Sequence, residues 1–366
     1  MDDIGPRSID QDTNLANKIW LRDTMQRIAG GDDLSSELKL AYGDDGHWRG
    51  SHPLNEMDGA SAIEESVWRP LHAALPDLER RDCILIGGRY QNRDGNTRDI
   101  VATVGQYVGT FKQDWLGIPA TGQPLSVRYG EVHEVDGNRI IRSTCLWDIL
   151  DVMRQAGFWP VAPSRGTEGA WLPPFTNDGI VLSPQDMDEG LASIRQTLAM
   201  HKTLANYRDQ DGLGRDGLLA MPQKDHWHPK MMWYGPAGIG TTRGLAGFVD
   251  FHQLPFRNAF PGRKGGSTLF ESSDKRFGHY LQIGDGCYSA TGGWPSVVAM
   301  HQGGDLFGVG ATGKQIEMRV MDFYLHHEGL IRENWVPIDV LHILLQMGVD
   351  VMARMHEQFG PNRLGL

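Results

Sequence analysis

The chain has 366 residues, 40% of them in the hydrophobic set and 22% charged, which at roughly 100 to 200 residues per domain predicts about two domains with a core each. That composition excludes wholesale disorder. Lys plus Arg total 35 against 46 for Asp plus Glu, a net charge of −11, so the surface repels phosphate backbones and anionic lipid, and neither nucleic acid nor a membrane is an expected partner.

In chain order, the first ten residues, MDDIGPRSID, are polar and acidic and lack the basic-then-apolar layout of a secretion signal. Thr13 is the expected cap of a first helix carrying Leu15, Ile19, Trp20, Met25 and Ile28 at helical spacing. A second helix over 60–75 contains Pro70, which predicts a kink or break there. The pattern then turns to strands. Cys83–Ile86 and Ile100–Val104 flank a hairpin turn at Asn92-Arg-Asp-Gly-Asn. A further strand over 125–135, a turn at Asp136-Gly137 and a short strand lead to a last helix starting near Asp148.

From Phe158 to Gly190 five prolines and several glycines interrupt any periodicity, the composition of a linker. Trp171 and Phe175 imply that it packs on a domain surface. The same order of elements then returns. A helix spans about 191–207 and a second, 245–260, contains Pro255. Strands at 279–283 and 287–290 flank Gly284-Asp-Gly286, a strand covers 316–325, and a turn at Glu328-Gly329 precedes a helix near Asp339.

This return is visible residue by residue. A shift of 185 lays Trp48 on Trp233, Gly50 on Gly235, Gly59 on Gly244 and Pro70 on Pro255. A shift of 191 lays Asp114-Trp-Leu-Gly-Ile-Pro-Ala-Thr-Gly122 on Asp305-Leu-Phe-Gly-Val-Gly-Ala-Thr-Gly313, Asp148 on Asp339 and Gln155 on Gln346. The chain therefore reads as two copies of one α+β domain, at 1–157 and 191–366, joined by the 158–190 linker. A strongly curved sheet after two helices closes around them and leaves a cavity for one small organic ligand. Three scattered cysteines (Cys83, Cys145 and Cys287) offer neither a disulfide framework nor a zinc motif. Without an apolar run of membrane length, the expectation is a soluble, cytoplasmic protein.

Chemistry concentrates on the strand after the Ala-Thr-Gly turn. Val127, Tyr129, Glu131 and His133 share one face by the period of two, and Met318, Val320, Asp322 and Tyr324 share the matching face. Glu131 and Asp322 are thus acids on an otherwise apolar or aromatic face, either cavity bases raised by desolvation or wet rim carboxylates. Asp148 and Asp339 are helix caps or second carboxylates. Arg128 and Arg319, on the opposite face, fit solvent or interface ion pairs. His301 either reaches a bound carbonyl oxygen or caps a loop. Trp48 and Trp233 fit core or cavity wall. His226 and His228 stand at i, i+2 near the expected mouth with no third ligand at a telling distance, so no metal is expected.

The run Gly-[Ile/Val]-x-Ala-Thr-Gly, the strand with an inward acid, the Asp/Glu-Gly turn and the closing Asp-[Ile/Val]-Leu-x-x-x-x-Gln-x-Gly resemble the SnoaL-like polyketide cyclases of the nuclear transport factor 2-like superfamily. The resemblance covers both copies. It implies two tandem cone-shaped α+β barrels, each a curved antiparallel sheet around helices, packed as an intrachain pseudo-dimer that can pair further as a homodimer. It also implies proton abstraction from a small apolar carbonyl compound without metal or cofactor, giving cyclisation, isomerisation or dehydration. The family's aspartate position falls on Cys145 and Val336, neither of which is a base, so the role passes to Asp322, with Asp339 as second carboxylate and His301 polarising oxygen. Tyr324, Trp233 and His228 would line the second pocket, and Glu131, Asp148 and Trp48 the first. The alternative is a non-catalytic binding or structural module of the same fold.

Overall fold

The structure, a computed structural model, describes residues 5–91, 96–206, 214–262, 264–265, 278–304 and 306–359. Helix α1 (Gln11–Gly30) follows strand β1 (Gly5–Arg7). Its cap is Asp10, whose carboxylate accepts from the Thr13 backbone N–H at 2.9 Å. Thr13, the expected cap, lies inside the first turn, because the Asp10 carboxylate three residues upstream reaches the orphan amide. Helix α2 (Leu34–Tyr42) and strands β2 (His47–Gly50) and β3 (Glu56–Asp58) come next.

The proline-containing helix is broken as expected, and in an unexpected manner. It runs as α3 (Ala60–Ile63), a π turn over Glu64–Trp68 and α4 (Arg69–Ala74). The Arg69 N–H reaches Glu64 O, five residues back. A proline removes one N–H and crowds the carbonyl four residues before it, and a widened turn relieves both. The second half repeats this at the same offset of 185: α8 (Gly244–Phe248), a π turn over Val249–Gln253 and α9 (Leu254–Ala259).

Strands β4 (Glu79–Gln91), β5 (Thr97–Thr110), β6 (Pro124–Asp136) and β7 (Arg139–Trp147) form a meander, and α5 (Ile149–Gln155) closes the first half. The second half opens on α6 (Met187–Asn206), α7 (Gly214–Ala220), β8 (Trp227–Tyr234) and β9 (Thr242–Arg243). After α9 it continues through β10 (Lys264–Gly265), β11 (Leu281–Asp285), β12 (Tyr288–Met300), β13 (Gln315–His327), β14 (Leu330–Trp335) and α10 (Val340–Met347). A further helix, α11 (Val351–Phe359), occupies what reads in the sequence as a tail. Residues 92–95 of the expected hairpin turn at 92–96, Tyr207 and Asp305 lie outside the described residues.

The architecture is mixed α+β with two sheets. The first has the order β1-β4-β5-β6-β7-β2-β3; the second has β10-β12-β13-β14-β8-β9, with β11 also on β12. Pairing is antiparallel apart from β2 on β7 and β8 on β14, which run parallel. No described helix is long and apolar enough to cross a membrane.

Alternation along each strand sends one face to each of two cores. The outer faces of both sheets meet in one cluster that includes Ile84, Ile86, Ala102 and Val132 from the first half, and Ile283, Ala290, Phe323 and Trp335 from the second. The approach is close enough that a Cβ on Gly130 would lie 2.3 Å from Pro337. A fully buried ion pair crosses the same boundary, from Lys18 Nζ on α1 to Asp285 Oδ2 at 2.7 Å. The same oxygen accepts from the Gly87 N–H at 2.9 Å. The 158–190 segment packs on the surface as expected. Trp171 is buried and donates to Gly235 O at 3.0 Å, and Leu85 exchanges backbone bonds with Gly179 and Val181.

Candidate functional site

The two inner faces have different fates. In the first half, Trp48, Trp68, Trp115, Trp147, Tyr107 and Tyr129 are fully buried inside the cup. Trp147 is their hub, with ring centroids 6.0 Å from Trp48, 6.0 Å from Trp68, 5.2 Å from Tyr107 and 6.2 Å from Trp115. Glu131 faces inward, as the period of two predicts, and meets protein on all sides. Arg80 donates to it at 2.6 Å, Tyr107 at 3.0 Å and Trp147 Nε1 at 2.8 Å. Burial pushes its carboxyl up, but the Arg80 charge, with His133 beside it, overcomes that and leaves it at about 2. The expected ligand roles of Glu131 and Trp48 are therefore corrected: the carboxylate is saturated by protein donors and the tryptophan is packed core.

The second inner face encloses a cavity of about 210 Å³. Strand β13 contributes Met318, Val320, Asp322 and Tyr324, the four side chains the sequence places on one face. Trp227 and Trp233 from β8, Phe248, Phe256 and Phe260 from the broken helix, and Asn334 from β14 supply further wall. His201 comes from α6, and His279 from the segment leading into β11.

Polar groups gather at one end of this apolar space. Asn334 Nδ2 donates to Asp322 Oδ1 at 3.3 Å, and His279 Nδ1 lies 3.5 Å from Asp322 Oδ2 and 3.0 Å from Thr291 Oγ1. His201 Nε2 is 2.7 Å from the Tyr324 hydroxyl. Burial pushes the Asp322 carboxyl up to about 7, against hydrogen bonds from Asn334 and Tyr324 that favour its ionised form. Burial likewise lowers His201 to about 4, and burial together with His201 holds His279 well below its ordinary value. Both imidazoles are thus neutral at pH 7. Glu131 and Asp322 occupy equivalent places 191 positions apart, and the presence or absence of an arginine sends their pKa values in opposite directions.

Other expected site residues lie elsewhere. Asp339 and Asp148 are helix caps: Oδ1 of Asp339 accepts from His342 N, and Oδ1 of Asp148 from Asp151 N, each at 3.1 Å. Each also pairs with the arginine of its own strand, Arg319 at 3.0 Å and Arg128 at 2.6 Å. Burial pushes both carboxyls up, with the arginine opposing. These acids leave the strand face that lines the cavity and turn to the boundary between the halves, so their expected chemical roles are corrected. His301 packs its ring on Phe260, centroids 5.3 Å apart, and bonds Thr312 at 3.1 Å, outside the cavity lining. His228 sits on the outer end of β8, where Nδ1 accepts from Lys230 N at 2.9 Å and Nε2 lies 3.7 Å from Glu328. It too is outside the lining, because the strand period carries it away from Trp227 and Trp233.

The sequence reading missed His201, His279 and Asn334. A signal for His201 was present: Ser193, Thr197 and His201 form a buried polar stripe at i, i+4, i+8 on α6, each bonded to the sheet or its turns.

No family model matches the chain, and no curated protein matches it. Its structural neighbours are SnoaL-like polyketide cyclases and NTF2-like proteins. One is IdmH from Streptomyces antibioticus, a candidate polyketide cyclase, at 19% identity and a TM-score of 0.32; the match covers 39% of this chain and 99% of that one. Another is a candidate SnoaL-like polyketide cyclase from Jannaschia sp. CCS1, at 16% identity and a TM-score of 0.33, covering 43% of this chain and 99% of that one. An NTF2-like protein from Burkholderia thailandensis E264 matches at 19% identity and a TM-score of 0.29, covering 40% and 98%.

Proposed function

We propose that the chain is two tandem SnoaL-like domains, 1–157 and 191–366, packed sheet to sheet as an intrachain pseudo-dimer, in which only the second is a working site. That site is a cofactor-free acid–base centre acting on a small, largely apolar carbonyl compound. The observation that carries the reading is Asp322: a carboxyl at about 7 in an aromatic-walled cavity, with no arginine or lysine paired to it among the described residues. A base near the working pH is half ionised and strong enough to take a carbon-bound proton made acidic by a neighbouring carbonyl. In the proposed step the C–H bond breaks, its electron pair enters the enolate and the proton goes to an Asp322 oxygen. Asn334 holds the carboxylate and the aromatic walls hold the substrate, excluding water. Ring closure, double-bond migration or loss of a β-substituent then follows from the enolate.

The test is a thermal-shift screen of β-dicarbonyl and polyketide-like compounds, followed by exchange of substrate C–H for deuterium in heavy water. Asp322→Asn is expected to bind the same compounds while exchange falls about 10²- to 10⁴-fold. Normal exchange in that variant removes Asp322 as the base.

The filled first cup supports a second reading, in which the fold serves here as a binding module. Compounds that bind the wild-type protein tightly and exchange no faster than in buffer would establish that reading instead.

A further inference from the structure

His201 carries an atom that no described residue serves. Its ring is buried, with 8% of the residue exposed, and it lines the cavity. Nε2 is engaged by the Tyr324 hydroxyl at 2.7 Å, whereas Nδ1 is buried without a hydrogen-bond partner among the described residues. A buried imidazole nitrogen left unpaired costs about 1–3 kcal/mol, and such an orphan in a cavity wall marks where a ligand atom belongs.

The network around it settles which kind of atom. Tyr324 has one hydroxyl proton, and the Asp322 carboxyl, two residues along the same strand face and on the same cavity wall, is a second acceptor for it beside His201 Nε2. When Asp322 is ionised, the carboxylate is the stronger acceptor and takes that proton. Nε2 of His201 must then donate to the Tyr324 oxygen. A neutral imidazole carries a single N–H, so Nδ1 is left as a bare lone pair. Burial keeps the ring neutral, so a second ring proton is not supplied.

We propose that His201 Nδ1 is the acceptor for a hydroxyl, phenol or enol group of the ligand, so that the site selects hydroxylated carbonyl compounds over their deoxy counterparts. This rests on the reading of the cavity as the working site and narrows its substrate class. The ligand then spans two fixed points, a C–H at Asp322 and an O–H at His201.

Binding of α-naphthol and of naphthalene to the full chain, on the alkaline side of the Asp322 titration, tests this. The wild-type protein is expected to prefer the phenol by about five- to tenfold, the worth of one buried neutral hydrogen bond. His201→Phe, close in shape, should reduce the preference below about twofold, and Asp322→Asn, which no longer claims the Tyr324 proton, should weaken it as well. Nitrogen-15 NMR of the unsubstituted protein gives a readout that needs no variant: His201 Nδ1 should show the resonance of an unprotonated ring nitrogen. A protonated Nδ1, no preference in the wild-type protein, or a preference that survives His201→Phe overturns the proposal. Absence of turnover on any carbonyl compound, with the phenol preference intact and lost in His201→Phe, overturns the catalytic reading and leaves this one standing.

Discussion

Asp148 accepts a hydrogen bond from the backbone N–H of Ala237, across the boundary between the two halves, at 2.9 Å. Asp339 accepts the same bond from His52, also at 2.9 Å. The four positions interchange under the offsets 185 and 191 that relate the sequence halves, so a single carboxylate caps α5 or α10 of its own half and ties down the other half's loop. Asp148→Ala and Asp339→Ala should each cost about 3 kcal/mol, from the lost cap and the loss of the arginine's nearest carboxylate. Chemical denaturation measures this, and ligand affinity in the second cavity should stay within about twofold of wild type, since neither residue lines it.

The pH dependence follows from Asp322. Its carboxyl is ordinarily at 3.8 and is held at about 7 in the folded chain. The folded state therefore binds more protons than the unfolded state between those values, and stability falls as pH rises from about 4 to about 7. The span of roughly three units corresponds to about 4 kcal/mol, an upper bound for a single site. Asp322→Asn should remove that slope and be the more stable protein at pH 8. Denaturation midpoints of both proteins at either end of the range check it. Turnover, in contrast, should rise through about pH 7 as the base ionises.

Glu131 behaves in the opposite sense. Held at about 2 instead of 4.5, it contributes stability that is fully present above pH 4.5 and lost as pH falls towards 2. Arg80→Met leaves this carboxylate buried beside neutral donors, and should cost about 3–5 kcal/mol at neutral pH. Unfolding monitored in urea at pH 7 reads the loss.

Lys18 and Asp285 offer a test of how the halves are joined. Either single change, Lys18→Met or Asp285→Leu, strands a fully buried charge and should cost about 3–5 kcal/mol. The double variant should recover most of that loss, giving a coupling energy that a double-mutant cycle measures directly. Additive losses would show that the pair itself is worth little.

Much of this was legible in the sequence, for identifiable reasons. The strand period placed Asp322, Tyr324 and Met318 on the cavity face, and Glu131 on its counterpart, because a two-residue repeat leaves no freedom once one face is apolar. Asp148 and Asp339 declared themselves as caps by standing before a helical pattern. The state of each cup was not legible. Whether Trp48 and Trp147 fill an interior or edge it depends on how rings from β2, β7 and the broken helix interleave, which no local pattern encodes. Arg80 was equally hidden: 51 positions separate it from Glu131, and only the fold brings them together. His228 was misplaced because, one residue after Trp227 on the same strand, it points to the opposite face from Trp227 and Trp233.

The distribution of indoles gives this chain a built-in pair of optical reporters. Trp48, Trp68, Trp115 and Trp147 are buried in the interior of the first half, whereas Trp227 and Trp233 form walls of the second-half cavity. Quenching by a small molecule that enters the hollow should fall on the second group alone, while emission from the first changes only when the polypeptide unravels. Occupancy and integrity can thus be followed separately in one unlabelled sample.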